Sequence, residues 1–203
     1  MEHPFRVILI LGSAILLPIV ACYRLKSQAS GDRLDRRQEG LFILVTLRPL
    51  GIACMLALIA YMINPAWMAW SSMVLPGWLR WAGVGLGLIA GTFLIWTLRS
   101  LGRNLTDTVV TRREHTLVTS GPYRLVRHPF YLSLALAIAA NALAAANWFV
   151  LGSGAAALVL IAIRTRKEEE LLVARFGDAY RTYMERTGRF LPRSPRASRM
   201  DAQ

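Results

Sequence analysis

Residues 130–163 read FYLSLALAIAANALAAANWFVLGSGAAALVLIAI and contain no Asp, Glu, Lys or Arg. Two apolar stretches, Phe130–Ala146 and Trp148–Ile163, meet at Asn147-Trp148. Each approaches the roughly 20 residues that a helix needs to cross a bilayer, so the segment predicts a tight helical hairpin in the membrane. Three further apolar stretches precede it: Phe5–Tyr23, Leu41–Ile63 and Leu79–Leu98. The sequence therefore predicts an all-α membrane protein with about five transmembrane helices.

The composition supports this class and excludes others. Of the 203 residues, 55% are apolar and 18% are charged, whereas soluble domains average about 25% charged. Mean hydropathy is +0.40. Cys22 and Cys54 both lie in apolar runs, which argues against a disulfide framework and against a thiolate zinc site. We expect the lipid bilayer as a partner and no bound metal.

The positions of the basic residues predict the orientation. Residues 24–40 contain five Lys or Arg, 99–128 contain six and 164–203 contain ten, whereas 64–78 contains none. With five spans these basic segments share one side, which the positive-inside rule makes cytoplasmic. The N-terminus is then outside and the C-terminus cytoplasmic, in what we expect to be a bacterial cell membrane. A lipoprotein-like cleavage box at 19–22 is the competing interpretation, but cleavage there would place the first basic segment outside.

The net charge of +12 is explained by the same distribution. Nucleic-acid binding would require a basic face interleaved with aromatic residues or a recognisable module, and the sequence has neither. We therefore expect no nucleic-acid partner.

The first informative polar segment, residues 101–131, reads LGRNLTDTVVTRREHTLVTSGPYRLVRHPFY. A short extended stretch, His115–Val118, precedes a turn at Ser120-Gly121-Pro122. Arg127-His128-Pro129 then stands at the membrane surface. Pro129 suits the first position of a helix, where its missing N–H is not needed.

The second polar segment, residues 164–193, reads RTRKEEELLVARFGDAYRTYMERTGRFLPR. In a continuous helix Arg164 and Glu168 lie on one face, one turn apart. Gly177-Asp178 predicts a break and a new helix start. Taken singly, each of these residues is explained by membrane anchoring or by a solvated charge run. Their combination with the Gly-Pro-Tyr turn and Arg-His-Pro-x-Tyr indicates a functional site.

These two segments resemble a known family. Gly-Pro-Tyr-(x)3-Arg-His-Pro-x-Tyr over 121–131 and Glu-Glu-x-Leu-(x)4-Phe-Gly-x-x-Tyr-x-x-Tyr over 168–183 are similar to motifs of the isoprenylcysteine carboxyl methyltransferase and phospholipid methyltransferase family of integral membrane enzymes. The resemblance covers about residues 99–193, and the N-terminal spans match in hydrophobicity alone. Where the family pattern has a glycine, this chain has Ser133, which is small enough to keep close packing.

The resemblance implies S-adenosyl-L-methionine as the methyl donor, bound in a cytoplasmic pocket that the C-terminal helix caps. It also implies that Arg164 faces the acceptor group, and it leaves open whether Thr111 joins the donor site. The family's donor-binding positions correspond here to His115, Thr116, Leu117, Val118, Tyr123, His128, Pro129, Phe130, Tyr131 and Glu168. The implied organisation is three spans with loop 24–40 in residues 1–98, a catalytic region in 99–193 and a tail in 194–203.

The residue types suit this chemistry. An extended backbone stretch can bind an adenine ring, and Glu168 can accept hydrogen bonds from ribose hydroxyls or an ammonium group. His128 and Tyr131 can donate to the carboxylate of the methyl donor. A carboxylate acceptor needs a positioning cation and no general base, and Arg164 can supply that cation.

The predicted function is therefore methyl transfer to a lipophilic acceptor, with a carboxylate favoured, as in isoprenylcysteine carboxyl O-methylation. Three alternatives stay open. They are N-methylation of a phospholipid head group, an NADPH-dependent reductase (membrane sterol reductases have a related Arg-His-Pro-x-Tyr signature) and a non-catalytic membrane scaffold. The sequence indicates neither the identity of the acceptor nor the oligomeric state.

Overall fold

The computed structural model describes residues 2–28, 41–101 and 117–193. These residues form a helical bundle with two short 3-10 helices and no strand, so the predicted all-α membrane class is confirmed. The 3-10 helices are Pro65–Ser71 and Gly121–Arg124. The α-helices are α1 (Glu2–Gln28), α2 (Leu41–Ile63), α3 (Gly77–Leu101), α4 (Pro129–Ala145), α5 (Trp148–Phe176) and α6 (Asp178–Arg186).

The described helices include four that are long and apolar enough to cross a membrane: α1, α2, α3 and α5. The predicted fourth span corresponds to α4, which is apolar but has only 17 residues. Large apolar side chains such as Leu17 (67% exposed) and Leu88 (72% exposed) point outward from the bundle. An outward-facing apolar surface is the arrangement that lipid requires, and the chain is a multi-pass membrane protein.

Helix α3 packs closely against α4 because both helices have small residues at their contact. A Cβ atom added to Gly83 would lie 2.7 Å from Leu143 Cβ and 2.9 Å from the Ala144 backbone nitrogen. The Gly83 position therefore allows the two backbones to approach to a distance that any larger residue would prevent. On the same helix Gly91 faces Leu16 of α1, so glycines of α3 allow close contacts with two different helices of the chain.

The connection between α4 and α5 is a two-residue turn, as predicted. Ala146 adopts a left-handed conformation with φ of 48°, and the Asn147 side chain caps α5 by accepting from the Val150 N–H at 3.0 Å. The Asn147 amide also donates to Ser71 Oγ at 2.7 Å. The hairpin is thereby tied to the 3-10 helix that follows α2.

A polar cluster around the buried Arg80 joins four helices at the end of the bundle that contains the α4–α5 turn. Arg80 of α3 donates to Glu2 of α1 at 2.6 and 2.9 Å, to the Tyr61 hydroxyl of α2 at 3.1 Å and to the Ala144 carbonyl of α4 at 2.8 Å. Its guanidinium lies 4.0 Å from the centroid of the Phe5 ring. Because Arg80 is 6% exposed, its charge depends on these partners.

Exposed tryptophans mark the same end. Indole rings are enriched at membrane–water interfaces because one edge is polar and the rest is apolar. The tryptophans here are 48–71% exposed: Trp67, Trp70, Trp78, Trp81 and Trp148. We call the end of the bundle that carries Gly121–Arg124 and α6 the site end. The end that carries these tryptophans and Arg80 is the opposite end.

Candidate active site

Local backbone chemistry sets the direction of each chain segment at the site end. Gly121, with φ of 61°, begins the 3-10 helix against Ser100 of α3, where a Cβ would collide with the serine hydroxyl. Pro129 occupies the first turn of α4, and Gly177, with φ of 56°, separates α5 from α6. Both of these predicted helix boundaries are confirmed. Together they bring the two motif segments against each other.

Tyr131 connects α4 to α5. Its hydroxyl donates a 2.9 Å hydrogen bond to Glu168 Oε2, and its ring stacks on the imidazole of His128 with centroids 5.6 Å apart and planes at 14°. Arg164, one helical turn before Glu168, lies within electrostatic reach of the same hydroxyl. A cation, an anion and two stacked aromatic rings thus meet where the apolar part of α5 ends.

Glu169, the next residue of α5, forms a second and more buried group. Its side chain is 4% exposed. Oε1 accepts from Arg127 Nε at 2.9 Å and from His128 Nε2 at 3.3 Å, and Oε2 accepts from Arg189 Nη2. Both carboxylate oxygens are therefore engaged inside the protein.

The electrostatics of Glu169 follow from these contacts. Burial raises the pKa of the Glu169 carboxyl, but hydrogen bonds from His128, Arg189 and Arg127 outweigh it. The net result lowers the pKa from 4.5 to about 2. Glu169 is consequently ionised across the physiological range, and as a carboxylate it can only accept hydrogen bonds.

The chain after α6 folds back over the motif. The backbone N–H groups of Arg127 and His128 donate to the carbonyls of Gly188 and Arg189 at 2.8 and 3.1 Å. The ring of Phe190 lies 5.9 Å from that of His128. His128 is therefore enclosed by Tyr131 of α4 and by the segment 188–190.

Helix α6 is attached to the site end through its carboxyl end and one tyrosine. Arg127 Nη1 donates to the carbonyls of Met184, at 3.1 Å, and Thr187, a favourable position for a cation at a helix C-terminus. The Tyr183 hydroxyl donates to the Tyr123 carbonyl at 2.6 Å. Burial raises the pKa of both phenols above the ordinary value of 10.0, so they are neutral donors near pH 7.

The structure brings some of the predicted site residues together and leaves others apart. His128, Tyr131, Arg164 and Glu168 form one group, and the Phe130 ring packs edge-on against Tyr131 at 6.0 Å. Pro129 is buried in the first turn of α4, and Tyr123 meets α6 through its backbone carbonyl.

The predicted stretch His115–Val118 falls only partly within the described residues. His115, Thr116 and Thr111 lie outside them. Leu117 and Val118 are half-buried and are not part of a strand, so these two residues do not form the exposed strand that the sequence suggested. Neither belongs to the contacts described above.

Sequence reasoning assigned no role to Glu169, Arg127 or Arg189. Glu169 stood in an acidic run, and Arg127 counted as one of many positive-inside residues. The available signal was the position of Arg127 and Glu169 inside the two motifs. The sequence could not show that Arg127 and Glu169 form an ion pair, because 42 residues separate them.

Residues 83–174 match the model of the isoprenylcysteine carboxyl methyltransferase (ICMT) family. The matched segment is slightly less than half of the 203-residue chain. It extends from α3 through nearly all of α5 and contains the Tyr131–Glu168 and Arg127–Glu169 pairs, whereas α6 and segment 188–190 follow it. No curated protein sequence is a match for the chain. The match to the ICMT family and the apolar helices support a membrane methyltransferase. In the described residues no group of three or more His, Cys, Asp or Glu could hold a metal ion.

Proposed function

We propose that this membrane methyltransferase transfers a methyl group from S-adenosyl-L-methionine to the carboxylate of a lipophilic acceptor, as in isoprenylcysteine carboxyl O-methylation. The observation that carries the proposal is the placement of Arg164 and Glu168 around Tyr131. The two charged residues are about 6 Å apart along the axis of α5, at the point where its apolar stretch ends. Arg164, a cation suited to the acceptor carboxylate, thus lies beside Glu168, an anion suited to the methyl donor.

The polar side chains present at the site end fit S-adenosyl-L-methionine. Glu168 is half-buried, and its carboxylate has lone pairs beyond the one that accepts from Tyr131, so it can accept from an ammonium group or ribose hydroxyls. Arg189 Nε is buried and has no hydrogen-bond acceptor among the described residues. Such an N–H suits a ligand carboxylate. Together these groups match both charges of an amino-carboxylate.

The chemistry divides into binding and alignment. When bound, the methyl donor supplies an electrophilic methyl group on a cationic sulfur. Arg164 would hold the acceptor carboxylate in line with that methyl group, and Tyr131 with Glu168 would fix the donor. Alignment and exclusion of water account for most of the rate enhancement in such a displacement. The nucleophile is already ionised, so no side chain has to remove a proton.

The proposal includes the organisation and orientation expected from the sequence. Residues 1–98 form the N-terminal spans, 99–193 form the catalytic region and 194–203 form a tail. The site end faces the cytoplasm, where the methyl donor is made, and the opposite end with its exposed tryptophans faces outward. The lipophilic acceptor then reaches Arg164 from the bilayer.

Incubation of the purified chain in lipid nanodiscs with methyl-labelled donor tests the proposal. The acceptors are N-acetyl-S-farnesylcysteine, its carboxamide and phosphatidylethanolamine. We expect label in the free acid alone, released as methanol by base. Label in phosphatidylethanolamine would replace the proposal by N-methylation. Calorimetric titration adds two further outcomes: binding of NADPH without S-adenosylhomocysteine indicates a reductase, and binding of neither indicates a scaffold.

A further inference from the structure

We propose that Glu169 is a positioning residue that fixes the tautomer and the ring orientation of His128. Its effect on the methyl donor rests on the proposed function, because His128 is one of the residues expected to hold that donor. Glu169 itself is 3% exposed, and both of its oxygens have partners within the protein. It acts through the histidine and has no direct contact with a ligand.

The tautomer follows from the hydrogen bond between Glu169 Oε1 and His128 Nε2 at 3.3 Å. An ionised carboxylate has no proton to give, so the imidazole nitrogen must be the donor. In a neutral ring the proton on Nε2 leaves Nδ1 as the acceptor. Glu169 thereby leaves His128 as an acceptor for a ligand's ammonium or hydroxyl group, and not as the donor to a ligand carboxylate that the sequence suggested.

The carboxylate can perform this task because its own position is fixed. Arg127 reaches it from the loop before α4 at 2.9 Å, and Arg189 reaches it from the segment after α6. These are the charged side chains that contact Glu169 among the described residues, and Tyr180 of α6 lies within its electrostatic reach. Glu169 is thus held from two sides.

Three further contacts limit the movement of His128. Tyr131 stacks on it at 5.6 Å between centroids, Phe190 contacts it at 5.9 Å, and its backbone N–H is bonded to the Arg189 carbonyl. The remaining freedom is the ring flip and the choice of protonated nitrogen. The hydrogen bond to Glu169 removes both.

The ligand-free protein provides the direct test. Nitrogen-15 spectra of histidine-labelled protein near neutral pH should show His128 protonated at Nε2 in wild type, with the signal assigned by its loss in His128→Gln. Glu169→Gln should convert it to a mixture of tautomers, because an amide can both donate and accept. Glu170→Gln is the matched control and should leave the signal unchanged. An unaltered His128 signal in Glu169→Gln would overturn the proposal.

The affinity for S-adenosylhomocysteine tests the functional consequence. Glu169→Gln should weaken S-adenosylhomocysteine binding by about tenfold, in line with one lost hydrogen bond. If that variant does not fold, Glu169→Asp keeps the charge but shortens the reach to His128. It should show the same altered signal and weaker binding, and wild-type behaviour in Glu169→Asp refutes positioning. A wild-type protein that binds no S-adenosylhomocysteine defeats the proposed function, while the nitrogen-15 spectra still decide the role of Glu169.

Discussion

Glu168 and Glu169 are adjacent in sequence yet belong to different groups of contacts: Glu168 accepts from the Tyr131 hydroxyl, whereas Glu169 is enclosed by Arg127, His128 and Arg189. The cause is the rotation of about 100° between successive helix positions. Glu170, one step further, points away from both groups and pairs with Lys167, with 67% of its side chain exposed. Three identical residues therefore have three different environments.

Glu168→Gln should weaken S-adenosylhomocysteine binding at least tenfold. A hydrogen bond to a charged group contributes about 1.5–3 kcal/mol, which corresponds to roughly 10- to 100-fold in affinity. Glu170→Gln should have little effect, since exposed ion pairs contribute at most about 1 kcal/mol. Titration calorimetry measures both. Equal and small effects from the two substitutions would remove Glu168 from the site.

Arg164→Gln should lower kcat/KM for the carboxylate acceptor by roughly 10- to 100-fold, because a charge-assisted hydrogen bond is lost. Affinity for S-adenosylhomocysteine should stay unchanged, since the guanidinium is assigned to the acceptor. Arg166, two residues on and exposed, provides the control variant Arg166→Gln. A weaker affinity for the methyl donor in Arg164→Gln with unchanged acceptor kinetics would reverse the assignment.

The stability contributed by Glu169 should depend on pH below about 5. Its pKa is held at about 2 in the folded chain, below the ordinary 4.5. A depressed folded-state pKa stabilises the fold above pH 4.5, and that contribution falls as pH approaches 2. The gap in melting temperature between wild type and Glu169→Gln should therefore narrow from pH 5 to pH 2.5. A gap that is constant over this range contradicts the prediction.

Gly83→Ala should destabilise the bundle. The added methyl would lie 2.7 Å from Leu143 Cβ and 2.9 Å from the Ala144 nitrogen, so α3 and α4 must separate, at a cost of about 1–3 kcal/mol. A methyl group added to Gly85, on the same helix, would meet no atom within 4 Å, so Gly85→Ala is the control. Thermal unfolding in detergent should distinguish the two variants, and equal melting temperatures would refute the close contact.

The proposed orientation, with the site end in the cytoplasm, predicts which sites a membrane-impermeant maleimide can reach in intact cells. In a background without Cys22 and Cys54, Val74→Cys should be labelled from outside, and Glu185→Cys only after permeabilisation. Val74 is fully exposed, and Glu185 is an exposed residue of α6. Labelling of Glu185→Cys in intact cells would reverse the topology.

Features governed by local backbone chemistry could be predicted from the sequence. Pro129 at a helix start, Gly177 at a helix break and Asn147 at a tight turn each act through their own φ, ψ or side chain. Hydropathy located the long spans for the same reason, since contact with lipid acts on each residue individually. These predictions needed no knowledge of which helices are neighbours.

Features that depend on pairing could not be predicted. Arg80 and Glu2 are 78 residues apart, and many other charges in the chain were equally plausible partners. The different hydrogen-bond partners of Glu168 and Glu169 depend on how α5 is rotated against α4, and that rotation is set by packing. Sequence therefore indicated the acidic cluster and its likeness to the family motif, but not which carboxylate is buried.

The short turn between α4 and α5 bears on how the chain is made. Helix α4 is 17 residues long, about 26 Å, which is less than the roughly 30 Å of a hydrocarbon core, and seven of its residues are alanine. A segment this short is a poor substrate for the translocon by itself. We expect α4 to insert into the bilayer only after α5 has been synthesised, so that the two helices enter together as a preformed hairpin.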